Sequence, residues 1–123
     1  MNTPSVLRAV RGAITVDADT PEDIREGTTE LMTALLERNA LEAPEMVSIL
    51  FTLTPDLRAE FPAVAAREMG LSSVPLLCAG EIDVPGAMRR CIRVMVHCYM
   101  PQQRPVRHVY LREARQLRTD LPE

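Results

Sequence analysis

The sequence predicts an α+β domain, α/β in the looser sense, built as one mixed sheet with two helices on one face. Three observations lead there. Strand-like and helix-like stretches follow in the order β-α-β-α-β-β before a short tail. One segment carries both end signals and the apolar period of a helix. The stretch CIRVMVHCY, residues 91–99, alternates as a strand does, yet holds an arginine. At 123 residues the chain has the length of a single domain, residues 1–123, and a polar tail from about 118–123 is expected to be mobile.

In chain order, VLRAVRGAITV (6–16) is a first strand. A helix is expected over roughly 20–39: Thr20 can cap it, Pro21 suits its first position and Asp23 its third. Ile24, Thr28, Leu31, Met32, Leu35 and Leu36 form its apolar stripe, and Gly27 weakens it. MVSILFTLT (46–54) is a strand apolar on both faces. Phe61-Pro62-Ala63 opens a short helix, about 62–69, that Gly70 can end. Val74 to Cys78 is a short strand. Residues 91–99 are another, 106–110 are extended, and LREARQL forms a last helical turn. Two helices cover one sheet face and leave the other open, which invites self-association into a closed oligomer.

In CIRVMVHCY, Ile92, Val94, Val96 and Cys98 share the face that belongs to the core. Arg93 shares the other face with Cys91, Met95, His97 and Tyr99. If that face is covered too, the guanidinium needs an anion, because an unpaired buried charge costs several kcal/mol, roughly.

Bulk composition excludes several function classes. Aromatic residues are 3% of the chain and net charge is −3, so neither a stacking surface nor a basic patch for nucleic acid is indicated. All 14 basic residues are arginine, which excludes a lysine Schiff base or base catalyst. Three cysteines without a CxxC, and two histidines eleven apart, suggest neither a disulfide framework nor a metal site. No run approaches a membrane span and the N-terminal residues lack a signal-peptide core, so a reduced, cytoplasmic protein is expected. No nucleophile-and-base pair is visible.

What remains is arginine in unusual places: Arg11 in the first strand before Gly12, Arg93 in an apolar strand, and Arg67 on the short helix. Guanidinium forks suit a small dianion. Glu81 and Asp83 could accept from a hydroxyl or pair with the arginines. By itself Arg93 reads more readily as a structural ion pair with Glu81 or Asp83, and Arg67 as a solvated residue. Residue types and spacing alone reach a small-anion site and no further.

Four blocks then carry a resemblance: RGAITVDADTPEDI, TPDLRAEFPAVAARE, VPLLCAGEIDVPGAMRRCIRVM and RHVYLREARQLRTDL. In this order they resemble segments of the monofunctional AroH-type chorismate mutases, from Arg8 to Leu121. The resemblance implies a homotrimer with a barrel-like core of sheets, helices outside, and active sites in the clefts between subunits. It implies conversion of chorismate to prephenate without cofactor or metal. Arg93 matches the arginine facing the ether oxygen of the breaking bond, and Arg11 one that binds a carboxylate. Glu81 matches the acceptor of the ring hydroxyl. Cys78 lies beside it, and the stretch Leu77, Cys78, Ala79, Gly80 supplies backbone contacts. Tyr110 matches a tyrosine reaching a carboxylate. Phe61, Ala63 and Arg67 would come from the adjacent subunit, and Leu117 and Arg118 from a covering tail. Val64 stands where some relatives have lysine and Leu77 where some have threonine. One residue is missing near Leu71 to Ser73, and one is added between Gln102 and Val106. The competing readings are a RidA-like imine hydrolase and a non-catalytic trimer binding a small carboxylate. Retention of Arg11, Glu81, Arg93 and Tyr110 together favours the mutase.

Overall fold

A computed structural model describes residues 4–118. The strands are β1 (Ser5–Thr15), β2 (Met46–Leu53), β3 (Leu76–Gly80), β4 (Cys91–Pro101) and β5 (Val109–Leu111). The helices are α1 (Pro21–Arg38) and the short α2 (Pro62–Ala66). The five strands form one mixed sheet in the order β3-β2-β4-β1-β5. β4 is antiparallel to both β1 and β2, while β3 runs parallel to β2 and β5 parallel to β1.

Alternation decides which face is core. Val10 and Ile14 of β1, Ile49 and Phe51 of β2, and Ile92, Val96 and Cys98 of β4 are fully buried. They pack against Ile24, Leu31, Met32 and Leu35 of α1 and Ala66 of α2. The Asp23 amide donates to Thr20 Oγ1 at 3.0 Å, so the expected cap forms. Gly27 has a packing reason. A Cβ there would lie 2.5 Å from Val16 Cγ1, so only glycine lets α1 sit this close to the end of β1. Gly12 admits Leu31 in the same way: its Cβ would lie 3.0 Å from Leu31 Cδ1. The missing side chain at Gly12 thus serves helix packing, with the Val109 carbonyl of β5 equally close at 3.0 Å. Among the described residues, no helix is long and apolar enough to cross a membrane.

Three boundaries differ from the sequence expectation. The short helix ends sooner: α2 passes at Arg67 into a wide π-type turn, Arg67–Leu71, which closes through Gly70 at φ 91°. The third strand lies two residues later than 74–78, because Pro75 has no amide to donate and the pairing with β2 carries the chain on through Ala79 and Gly80. Of the extended stretch 106–110, only its end joins the sheet, from Val109. The Arg107 backbone is instead clamped by Asn39, just past α1: its N–H donates to Asn39 Oδ1 at 2.8 Å, and its carbonyl accepts from Nδ2 at 2.9 Å. The tail beyond Arg118 lies outside the described residues.

Candidate active site on the open sheet face

Among the described residues, the second face of the sheet carries no helix over most of its area. Its residues fall in rows across the strands. One row runs Leu77, Leu50, Met95, Arg11 from β3 to β1. The next runs Ala79, Thr52, Arg93, Ala13, Tyr110 from β3 to β5. A 3-10 turn, Arg112–Arg118, folds back over one end of this face and buries Ala13 beneath Ala114, Cys91, Tyr110 and Leu117. Two contacts to Thr15 anchor the turn. The Glu113 amide donates to Thr15 Oγ1 at 3.2 Å, and Arg112 Nη1 donates to the Thr15 carbonyl at 3.1 Å. Beside it opens a pocket of about 390 Å³, lined by Arg11, Thr52, Arg93, Met95, Tyr110 and Leu117 among others. That volume suits a small-molecule ligand.

Glu81 enters from the end of β3. Its amide donates to the Leu53 carbonyl at 2.8 Å, which continues the ladder by one residue and aims the side chain over the open face. The carboxylate oxygen Oε2 accepts from Thr52 Oγ1 at 2.6 Å and lies 3.2 Å from Arg93 Nε. So the opening anomaly of the apolar strand has its anion: Arg93 pairs with Glu81, as the ion-pair reading of its residue type proposed. The pairing runs through Nε. The Arg93 side chain is 46% exposed and that of Glu81 20%, so within one chain this cation is not dry.

Two further contacts tie the pocket to the strands around it. The Arg11 amide donates to His108 Nδ1 at 3.0 Å, which fixes that ring nitrogen as an acceptor and docks the segment leading to Tyr110 onto β1. On the far side of Arg93, Asp56 accepts from the Arg90 amide at 2.9 Å and holds the loop before β4. Burial pushes the Asp56 carboxyl up, but hydrogen bonds from Thr54 and from the Asp56 and Arg90 amides, with the Arg89 charge, outweigh it and leave it below its ordinary value. The Cys91 thiol is pushed up to about 11, first by burial, with the Arg93 charge opposing. It is a core thiol, not a nucleophile.

The structure thus gathers Arg11, Glu81, Arg93, Tyr110 and Leu117 at one place. Ala79 lies in the same row as Arg93, and Leu77 stands one row away, 62% exposed. Cys78 pairs with Phe51 and faces the helical side, so its thiol is turned from the pocket and Gly80 follows on that same side. Phe61, Ala63 and Arg67 are not brought here. They lie on or beside α2, which packs on α1 and β3 across the sheet. Of these, Ala63 is buried, whereas Phe61 is 66% exposed and Arg67 is exposed. The side chain of Arg118 lies outside the described residues. Thr52 was missed by the sequence reading. Its signal is weak, since a threonine in an apolar strand reads as an ordinary β-former. Among the described residues, no cluster of His, Cys, Asp or Glu could hold a metal ion.

The fold and this pocket define a class: a small α+β domain whose open face sets arginines and one carboxylate around a pocket of small-molecule size. Comparison with known proteins makes the class specific. Residues 7–121 match the family model described as chorismate mutase type I. A chorismate mutase of Thermus thermophilus is 50% identical, over 94% of this chain and 97% of that protein. One of Bacillus subtilis (strain 168) is 44% identical, over 94% and 93%. The solved structure of a Clostridium thermocellum chorismate mutase superposes with a TM-score of 0.86 at 45% identity, covering 89% of this chain and 98% of that one. The chain belongs to the type I chorismate mutases. It is an isomerase, and its place is in aromatic amino acid biosynthesis.

Proposed function

We propose that the chain converts chorismate to prephenate in the pocket on the open sheet face, by a concerted rearrangement in which a C–O bond breaks as a C–C bond forms. No proton moves in such a step, so no acid-base pair is required of the site. The observation that supports this most is the convergence of Arg11, Arg93 and Tyr110 on one pocket of about 390 Å³, with Glu81 held against Arg93. Arg11 and Tyr110 hold carboxylates and keep the substrate in its compact reactive shape. The terminal amino groups of Arg93 face the ether oxygen as negative charge develops there. Glu81 accepts the ring hydroxyl. An acceleration of ~10⁶ needs about 8 kcal/mol, of which one well-placed donor supplies roughly 3–4 and orientation the remainder.

The working unit in this proposal is a homotrimer. Its support is twofold. The open face exposes Leu7, Leu50, Leu77 and Tyr99, an apolar surface that another copy would cover. Phe61 and Arg67 stand exposed beside α2 and do not line this chain's own pocket, which supports their serving a neighbour's. Closing the pocket with a second chain also dries Arg93, which one chain leaves half exposed. The same reading places the enzyme in the cytoplasm.

The test is loss of chorismate absorbance on adding purified protein, with subunit exchange as its second arm. Inactive Arg67→Ala and inactive Arg93→Ala proteins, mixed and exchanged, recover part of the activity because some sites draw both intact residues. No recovery after confirmed exchange contradicts a site built from two chains.

A further inference from the structure

The pairing of Arg93 with Glu81 raises a problem. The guanidinium that serves the substrate lies beside a carboxylate able to capture it. A two-point fork between the two would draw the terminal amino groups away from the pocket. What prevents this is on the neighbouring strand. Thr52 is the direct cross-strand partner of Arg93, on the same face, and its hydroxyl donates to Glu81 Oε2 at 2.6 Å. The Arg93 contact to that same oxygen is longer, 3.2 Å, and runs through Nε. One carboxylate oxygen thus accepts the Thr52 hydroxyl and is also the atom that pairs with the Arg93 guanidinium.

We propose that Thr52 is a positioning residue of the active site: its hydroxyl pins Glu81, so that one carboxylate oxygen is left for the substrate hydroxyl and the terminal amino groups of Arg93 are left for the breaking bond. The reason it falls to Thr52 is mechanical as well as electrostatic. A β-branched side chain on a paired strand has little χ1 freedom, whereas the arginine stem is long and half exposed. A short bond from a hydroxyl to an ionised oxygen is also among the stronger kinds. Thr52 thus sets the carboxylate, and Arg93 adapts to it. Thr52 itself need not touch the reacting atoms, although it lines the pocket.

This inference rests on the roles proposed above for Glu81 and Arg93, and its test separates the two. Thr52→Val keeps shape and strand propensity but removes the donor; Thr52→Ser restores it. Thr52→Val is expected to lose about tenfold in kcat, with KM for chorismate changed by less than about threefold. Thr52→Ser is expected to recover to within about threefold of the parent rate. In a Glu81→Gln background, where the hydroxyl no longer faces an ionised partner, adding Thr52→Val costs less than about twofold. Equal losses in both backgrounds identify a structural role and overturn the proposal, as does an unchanged kcat in Thr52→Val. A crystal structure of Thr52→Val gives a readout independent of turnover. Glu81 is expected to swing into a two-point contact with the terminal nitrogens of Arg93. A carboxylate that stays in place overturns the positioning role even if the enzyme is active. If the parent protein leaves chorismate untouched, the functional reading fails, while the crystallographic arm still decides what Thr52 does to Glu81.

Discussion

The two faces of the sheet are made by alternate residues of the same strands, and they obey different rules. On the helical face, Ile92, Val96 and Cys98 of β4 are fully buried, and the fit is close enough that Gly27 has no room for a methyl group. On the open face, Arg93 is half exposed, paired with a carboxylate, and bordered by a pocket. The first face holds the chain together by apolar burial and dense packing. The second holds charged groups in fixed relation at little cost, because in one chain water still reaches them. A strand can serve both ends because its period separates them residue by residue.

This division should break apart under mutation. The largest effect expected is Arg93→Ala, which removes the donor proposed at the breaking bond and should lower kcat by about 10²–10³, measured with saturating chorismate. Its folding should be intact, since no described core contact depends on it. On the closed face, Gly27→Ala forces a Cβ to within 2.5 Å of the Val16 side chain. It should destabilise the protein by about 1–3 kcal/mol in urea unfolding, even though alanine is the better helix former. A more stable Gly27→Ala protein would show that the contact is slack.

A subtler case tests where the faces meet. Cys91 lies on the open side but under the C-terminal turn, and its thiol is pushed from 9.0 to about 11, mainly by burial. Folding therefore favours the neutral thiol. Below about pH 9 both states keep the proton and the full contribution is present. Between about 9 and 11 the unfolded chain ionises while the folded one does not, so stability falls with pH. The size of that fall is about 2–3 kcal/mol at most. Cys91→Ala should be less stable at neutral pH and flatter across this range. Equal slopes for both proteins would contradict burial as the cause. Smaller again, Arg93→Lys keeps the charge but loses the planar fork, and should lose at least about tenfold in kcat, roughly 1.4 kcal/mol.

Much of the closed face was legible in the sequence. The cap at Thr20, the stripe from Ile24 to Leu35 and the alternation of residues 91–99 each follow from a local period or a local hydrogen bond. The open face was legible only in part. Arg93 and Arg11 stood out because charge in an apolar strand is costly, and Glu81 or Asp83 followed as the anion such a charge needs; the family resemblance chose Glu81 and supplied the site roles of Tyr110 and Leu117. Thr52 carried no such signal, because its role comes from a register that brings residue 81 over it. The placement of β3 went astray because Ala79 and Gly80 have turn-like composition, and pairing with β2 overrode it. The segment before β5 is held by Asn39 from the far end of α1, a contact that no window of sequence contains.

One pair of variants tests the division of labour most directly. Ile92 and Arg93 are consecutive in β4 and point to opposite faces. Urea unfolding and kcat are measured for Ile92→Val and Arg93→Ala beside the parent protein. Ile92→Val should lose about 0.5–1.5 kcal/mol of stability while kcat stays within about threefold. Arg93→Ala should hold its stability to within about 0.5 kcal/mol while kcat falls by about 10²–10³. An Arg93→Ala protein that turns over chorismate at the parent rate, or one that loses rate only because it unfolds, would contradict the account and leave Arg93 as a structural partner of Glu81.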